Sequence, residues 1–207
     1  MRSIRDIGRR SRIGRPAVFF DRDGVVNELV RDPLSRLPES PLDPGDVQLV
    51  PGAASALCRL RNAGYLLVAV SNQPAAAKGV VTLERLRAVQ QRVLDLLRRE
   101  GVVPDAIRCC FHHPEATVPE LRQACRCRKP APGMLLDAAA ELDVDLPASW
   151  MIGDTDGDVA AGAAAGCRTV LIAAPGSGHK RSGTAHADVQ ALDVTSAVEA
   201  ILSTVGA

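Results

Sequence analysis

The sequence predicts an α/β fold, a doubly wound and mostly parallel sheet carrying one loop insertion. Three observations predict it. Short apolar runs alternate with longer segments of helical period along most of the chain. Tyr65–Val70 (YLLVAV) is apolar throughout, as expected of a parallel strand covered on both faces. Polar clusters follow the apolar runs, and in a parallel sheet such strand ends share one edge, where ligands bind.

The elements follow in order. Ala17–Phe20 (AVFF) reads as a buried strand running into Asp21-Arg22-Asp23-Gly24. Residues 29–51 hold five prolines and little periodicity, which suits a flap beside a site, with a short strand at Val47–Val50. Gly52–Ala63 reads as a helix closed by Gly64. Tyr65–Val70 ends in Ser71-Asn72-Gln73, and Thr82 caps a helix reaching Glu100, with Leu83, Leu86, Val89, Val93, Leu94 and Leu97 at helical spacing. Ala106–Phe111 is a strand leading into the insertion, residues 109–128. Gly133–Leu142 is a helix, Trp150–Ile152 a strand ending in Gly153-Asp154, and Val159–Ala165 a helix closed by Gly166. Thr169–Ala173 is a strand, Pro175–Ala187 a loop rich in Gly, Ser and His, and Ser196–Val205 a closing helix.

At 207 residues and 46% hydrophobic, the chain is large enough for one domain, 17–207, with a real core. Charge is unevenly placed. Residues 1–16 carry six arginines against one aspartate and read as a solvated, disordered leader, without the apolar run of a secretory signal. The remainder holds 19 basic and 23 acidic residues, and the chain has one Trp, one Tyr and three Phe. A zinc-stabilised nucleic-acid module, the reading from a different class, needs a basic surface and stacking aromatics. The expectation is therefore no nucleic-acid partner, and no apolar run is long enough to span a membrane.

Four polar sites follow four strand ends: Asp21 and Asp23, Ser71, Lys129, and Asp154. Together they offer carboxylates, a hydroxyl and an ammonium, which is equipment for phosphoryl transfer through an aspartyl-phosphate. Each also has a plainer reading as a turn, strand-end or helix-capping residue. Asp156 reads as a helix-terminal residue only, Asp158 as support for the site, and Arg22 fits either a structural or a functional role. In the insertion, Cys110-x-His112 and Cys125-x-Cys127 are separated by twelve residues and form the ligand set of a closed structural zinc site. Cys109 and His113 are the spare neighbours. Clustered cysteines of this spacing point to metal rather than disulfides, hence to a reducing, cytoplasmic setting.

The ordered motifs of residues 17–173 resemble the haloacid dehalogenase superfamily of phosphatases. The combination of DRDGVVNE, CFHHP and CRCRKPAPGML is similar to its heptose 1,7-bisphosphate phosphatases and the related histidinol-phosphate phosphatases. Ser71-Asn72-Gln73 with Lys78 before Gly79 favours the heptose branch. The resemblance implies Asp21 as nucleophile, Asp23 as general acid and base, and Ser71 and Lys129 on the phosphoryl group. It implies Mg2+ on Asp21, the Asp23 carbonyl and Asp154, Zn2+ on the four insertion residues, Asn72 and Gln73 as substrate-binding, and Arg128 on the sugar or its second phosphate. The implied substrate is a small phosphorylated sugar, a heptose bisphosphate first and histidinol phosphate or another polyol phosphate second; separately, the chain is expected to be a monomer. The chain departs from the family in the long 29–51 segment and in Thr155, where a lysine is common.

Overall fold

The computed structural model describes residues 14–33 and 35–204. The expected leader lies outside the described residues except for Gly14, Arg15 and Pro16, and so does the expected helix end at Val205.

Eight strands and five helices are described in this range: β1 (Ala17–Phe20), β2 (Val30–Arg31), β3 (Pro38–Glu39), α1 (Ala53–Asn62), β4 (Leu66–Asn72), α2 (Leu83–Arg99), β5 (Ala106–Cys110), α3 (Gly133–Leu142), β6 (Trp150–Gly153), α4 (Asp156–Ala165), β7 (Arg168–Ile172), β8 (Val189–Ala191) and α5 (Val194–Ser203). Six strands form one sheet in the order β5-β4-β1-β6-β7-β8, and every pairing in it is parallel. The chain winds outward from β1 in both directions, so the crevice beside β1 is the switch point where open α/β sheets bind ligands.

Strand alternation divides the core cleanly. Val18, Phe20, Leu67, Ala69, Trp150 and Ile152 pack with α1, α2 and α5 on one face. Ala17, Phe19, Leu66, Val68, Val70 and Met151 pack with α3 and α4 on the other. Each fully buried Leu, Phe or Met side chain contributes roughly 1.5–3 kcal/mol, and these two layers hold the central strands rigidly beneath the site.

Local signals act where they were expected. The Thr82 hydroxyl accepts from the Arg85 amide at 3.1 Å and starts α2. Gly64, at φ +95°, follows α1. The 29–51 segment differs from expectation. Its strands are β2 and β3, a two-residue antiparallel hairpin, while Leu49 makes only an isolated bridge to Asn27. Three-residue β8 was not expected from its sequence. No helix among the described residues is long and apolar enough to cross a membrane.

Candidate active site

β1 delivers Asp21 to the crevice, fixed by a 2.9 Å hydrogen bond from its amide to the Ile152 carbonyl. Its Oδ1 lies 3.0 Å from the Nζ of Lys129, which is itself 2.6 Å from Asp158 Oδ1 and donates to the Val70 carbonyl at 2.8 Å. Burial would push that ammonium's pKa down, but Asp158 and Asp21 more than reverse the effect and raise it.

Asp154 ends β6, and carboxylate oxygens of Asp21, Asp154 and Asp158 lie within 4.8 Å of one another. Burial pushes Asp21 up to about 6, aided by Asp158 and Asp23 against the pull of Lys129. Burial and the neighbouring Asp21 and Asp158 push Asp154 up to about 7. Three carboxylates thus face one ammonium, a group short of positive charge. Gly24 makes the approach possible. Its φ is +82°, and a Cβ there would sit 2.2 Å from Asp154 Oδ2.

Asp23 is held differently. The Arg22 guanidinium grips it with Nε to Oδ1 at 3.0 Å and Nη2 to Oδ2 at 2.9 Å. Asn27 adds a bond at 2.8 Å and Gln73 one at 2.6 Å. Burial favours the neutral acid, yet Arg22, Asn27, Gln73 and Ser40 outweigh it and keep Asp23 below the usual carboxylate range. Arg22 is 1% exposed, a buried counter-ion rather than a surface residue.

The expected substrate amides are engaged with the protein. Asn72 donates to the Lys129 carbonyl at 2.9 Å and accepts from the Lys129 amide at 3.1 Å, fixing the lysine's backbone. Gln73 donates to Asp23 and, at 2.9 Å, to the buried Ser71 hydroxyl. Asp158 Oδ2 accepts from the Thr155 amide and hydroxyl, so both of its oxygens are committed to the protein.

Asp21, Asp23, Asn72, Lys129, Asp154 and Asp158 border a cavity of about 360 Å³ that also takes in Glu39, Ser40, Lys78, Arg128 and Lys180, while the expected Ser71 is buried outside its lining. A larger cavity, about 830 Å³, lies beyond the β2–β3 hairpin and shares Glu39, Ser40, Pro74 and Lys78 with it. The chemistry belongs to the smaller one, since only that cavity contains Asp21, Lys129 and Asp154. Glu39 and Lys180 were not anticipated. The signal for Lys180 was its place on a loop after a strand end at the same sheet edge.

The insertion folds back on β5. Cys110, Cys125 and Cys127 bring their sulfurs 3.2–3.5 Å apart, and His112 Nδ1 lies 3.5 Å from Cys127 Sγ and 3.9 Å from Cys110 Sγ. Tetrahedral ligation at Zn–S distances of 2.3 Å puts sulfurs about 3.8 Å apart, so the four side chains fit zinc with little movement. Cys109 points away, toward Gln90, and His113 Nδ1 accepts from the Glu115 amide.

Comparisons with known proteins agree with this geometry. A family model described as HAD-hydrolase-like matches residues 126–198. The D-glycero-beta-D-manno-heptose-1,7-bisphosphate 7-phosphatase of Photorhabdus laumondii is 38% identical over 169 residues, 79% of this chain and 82% of its own. The chain belongs to this haloacid dehalogenase-like phosphatase family. The protein of the same name from Rhodopseudomonas palustris is 40% identical over 152 residues, 73% of this chain and 80% of its own. Among solved structures, the D,D-heptose 1,7-bisphosphate phosphatase of B. bronchiseptica, complexed with magnesium and phosphate, is 31% identical with a TM-score of 0.74. It covers 91% of this chain and 99% of its own. As a member of the family, the chain is a phosphoric monoester hydrolase.

Proposed function

We propose that this phosphatase removes the 7-phosphate of D-glycero-D-manno-heptose 1,7-bisphosphate in a magnesium-dependent reaction through an aspartyl-phosphate, on the way to a nucleotide-activated heptose. The observation that carries the reading is Asp21, whose carboxylate sits at the focus of Lys129 and Asp154 on the cavity floor. The names of the relatives support the substrate.

In this mechanism a carboxylate oxygen of Asp21 attacks phosphorus in line with the leaving sugar oxygen. Lys129 neutralises the phosphoryl oxygens and Ser71 hydrogen-bonds one of them. Asp23 protonates the leaving oxygen and then deprotonates the water that hydrolyses the Asp21 phosphate. Its Arg22 clamp favours the carboxylate, so Asp23 takes up its proton only when an anionic substrate has entered. Asp21, Asp154 and the Asp23 carbonyl would hold the magnesium that the charge-deficient carboxylates call for, and it supplies charge neutralisation of the transferring group. Asn72 and Gln73 hold Lys129 and Asp23 in place, and Arg128 faces the sugar. Residues 29–51 act as the flap. Cys110, His112, Cys125 and Cys127 would hold a structural zinc that leaves no position open for water. We place the enzyme in the cytoplasm as a monomer with no nucleic-acid partner.

The test is a substrate screen with magnesium, comparing both anomers of heptose 1,7-bisphosphate with histidinol phosphate and fructose 1,6-bisphosphate. The highest kcat/KM is expected for a heptose bisphosphate, and Asp21→Asn should lose turnover while staying folded. Preference for histidinol phosphate would overturn the substrate, and near-native turnover by Asp21→Asn would overturn the mechanism.

A further inference from the structure

Besides Lys129, three cations line the active-site cavity: Lys78, Arg128 and Lys180. Of these three, only Lys180 pairs with a carboxylate among the described residues. Its Nζ lies 2.7 Å from Glu39 Oε2, and His179 Nε2 lies 3.4 Å from Glu39 Oε1. The two ends of this pair are anchored unequally. Next to Lys180, the Arg181 guanidinium donates to the carbonyls of Ile172, Ala174 and Asp154 at 3.0–3.3 Å and to Ser177 Oγ at 3.1 Å. Ser182 follows, with amide and hydroxyl both donating to Asp156 Oδ2. The root of Lys180 is therefore tied to the sheet edge that carries Asp154. Glu39 sits on the two-residue β2–β3 ladder and its side chain is 42% exposed, against 27% for Lys180.

An ion pair this exposed is worth little, roughly 0–1 kcal/mol, and is easily exchanged. A phosphate dianion offers the same ammonium a stronger, charge-assisted bond. From this juxtaposition we infer that Lys180 determines specificity for a second anionic group on the leaving side of the substrate, with Glu39 as its competing partner. A substrate carrying a second phosphate takes the ammonium over from Glu39. A simple monoester meets the pair intact and gains nothing from it. The inference rests on the bisphosphate reading above and adds a residue from a loop that the sequence motifs leave out.

The test uses the full chain with magnesium in four forms: wild type, Lys180→Gln, Glu39→Gln and the double variant. Each is assayed on heptose 1,7-bisphosphate, fructose 1,6-bisphosphate and p-nitrophenyl phosphate. Lys180→Gln should raise the bisphosphate KM on the order of 10-fold with much less change in kcat. Glu39→Gln should act in the opposite direction, lowering that KM about 3-fold by removing the competitor. The double variant should match Lys180→Gln alone, and p-nitrophenyl phosphate should respond far less than the bisphosphates. A merely structural strap moves both single variants the same way on all three substrates, which would overturn the inference. So would a Glu39→Gln gain that persists without Lys180. Failure of heptose bisphosphate alone removes the proposed substrate and leaves the Lys180 comparison to be read on fructose 1,6-bisphosphate. Preference for p-nitrophenyl phosphate over every bisphosphate overturns both.

Discussion

The Nζ of Lys129 lies closer to Asp158 than to Asp21, 2.6 Å against 3.0 Å. The lysine is thus held from the side by a carboxylate whose other oxygen is fixed by Thr155, and it leans on Asp21 only second.

Asp158→Asn should separate holding from chemistry. The amide keeps the shape but not the charge, so Lys129 loses its stronger partner and shifts onto Asp21. We expect kcat to fall on the order of 10- to 100-fold with a smaller change in KM. Breaking a buried pair also costs about 3–5 kcal/mol, visible as a lowered Tm. Unchanged kcat in folded protein would show that Asp158 does not position Lys129.

Arg22→Lys should move the pH profile. The ammonium keeps the charge but loses the two-pronged grip on Asp23. With that grip weakened, burial lifts the Asp23 carboxyl, and the kcat limb that the proposed mechanism gives to Asp23 should shift upward in pH. Stability should drop by roughly 1–3 kcal/mol. A profile identical to wild type would make Arg22 purely structural.

The raised acids predict how pH couples to metal. Asp21 and Asp154 titrate at about 6 and about 7, above their ordinary 3.8. Between those values the folded state binds more protons than the unfolded one. Their favourable contribution is therefore complete below about pH 4 and is lost as pH rises through 6 to 7. Thermal melts without magnesium should show that loss, and magnesium should restore stability at pH 7.5 far more than at pH 5. Asp154→Asn should flatten both effects. A magnesium response independent of pH and of Asp154 would count against this assignment.

The cysteine cluster predicts one zinc per chain. Cys125→Ser removes a sulfur that lies 3.5 Å from Cys110 and 3.2 Å from Cys127. Zinc content by elemental analysis and Tm should both fall, while kcat of the folded fraction should stay within a few-fold of wild type. Activity restored to zinc-depleted, folded protein by zinc alone would mean the metal takes part in the reaction.

Much of this was legible in the sequence because it depends on local pattern. AVFF before an Asp-x-Asp-Gly turn marks the central strand, and Gly133–Leu142 matches its helical period end to end. The choice of Cys110 over Cys109 follows from the opposite faces of β5 that the two occupy, while His112 and His113 lie beyond the strand's end. What stayed hidden depends on partners far along the chain. The β2–β3 hairpin pairs Val30 and Arg31 with Glu39 and Pro38, and Pro38 and Glu39 have little strand propensity, so β3 carries no local signal. The Asn72 and Gln73 amides looked free for substrate because their partners, the Lys129 backbone and Asp23, approach only in the fold. Arg181 and Lys180 sit in a stretch whose composition marks only a loop.

Gly24 limits how this site can change over successive substitutions. A side chain there is blocked twice, by the left-handed backbone and by the Asp154 carboxylate 2.2 Å from its first carbon. Alanine already collides, so the position offers no graded series of larger residues to explore. Replacing Asp154 relieves only the second of these blocks, and the site has then already lost one of its three clustered carboxylates. Return then requires two changes in a fixed order, glycine first and the carboxylate second, with no gain in activity from the first alone. Between β1 and β6 the site works as a ratchet, simple to abandon and slow to re-enter.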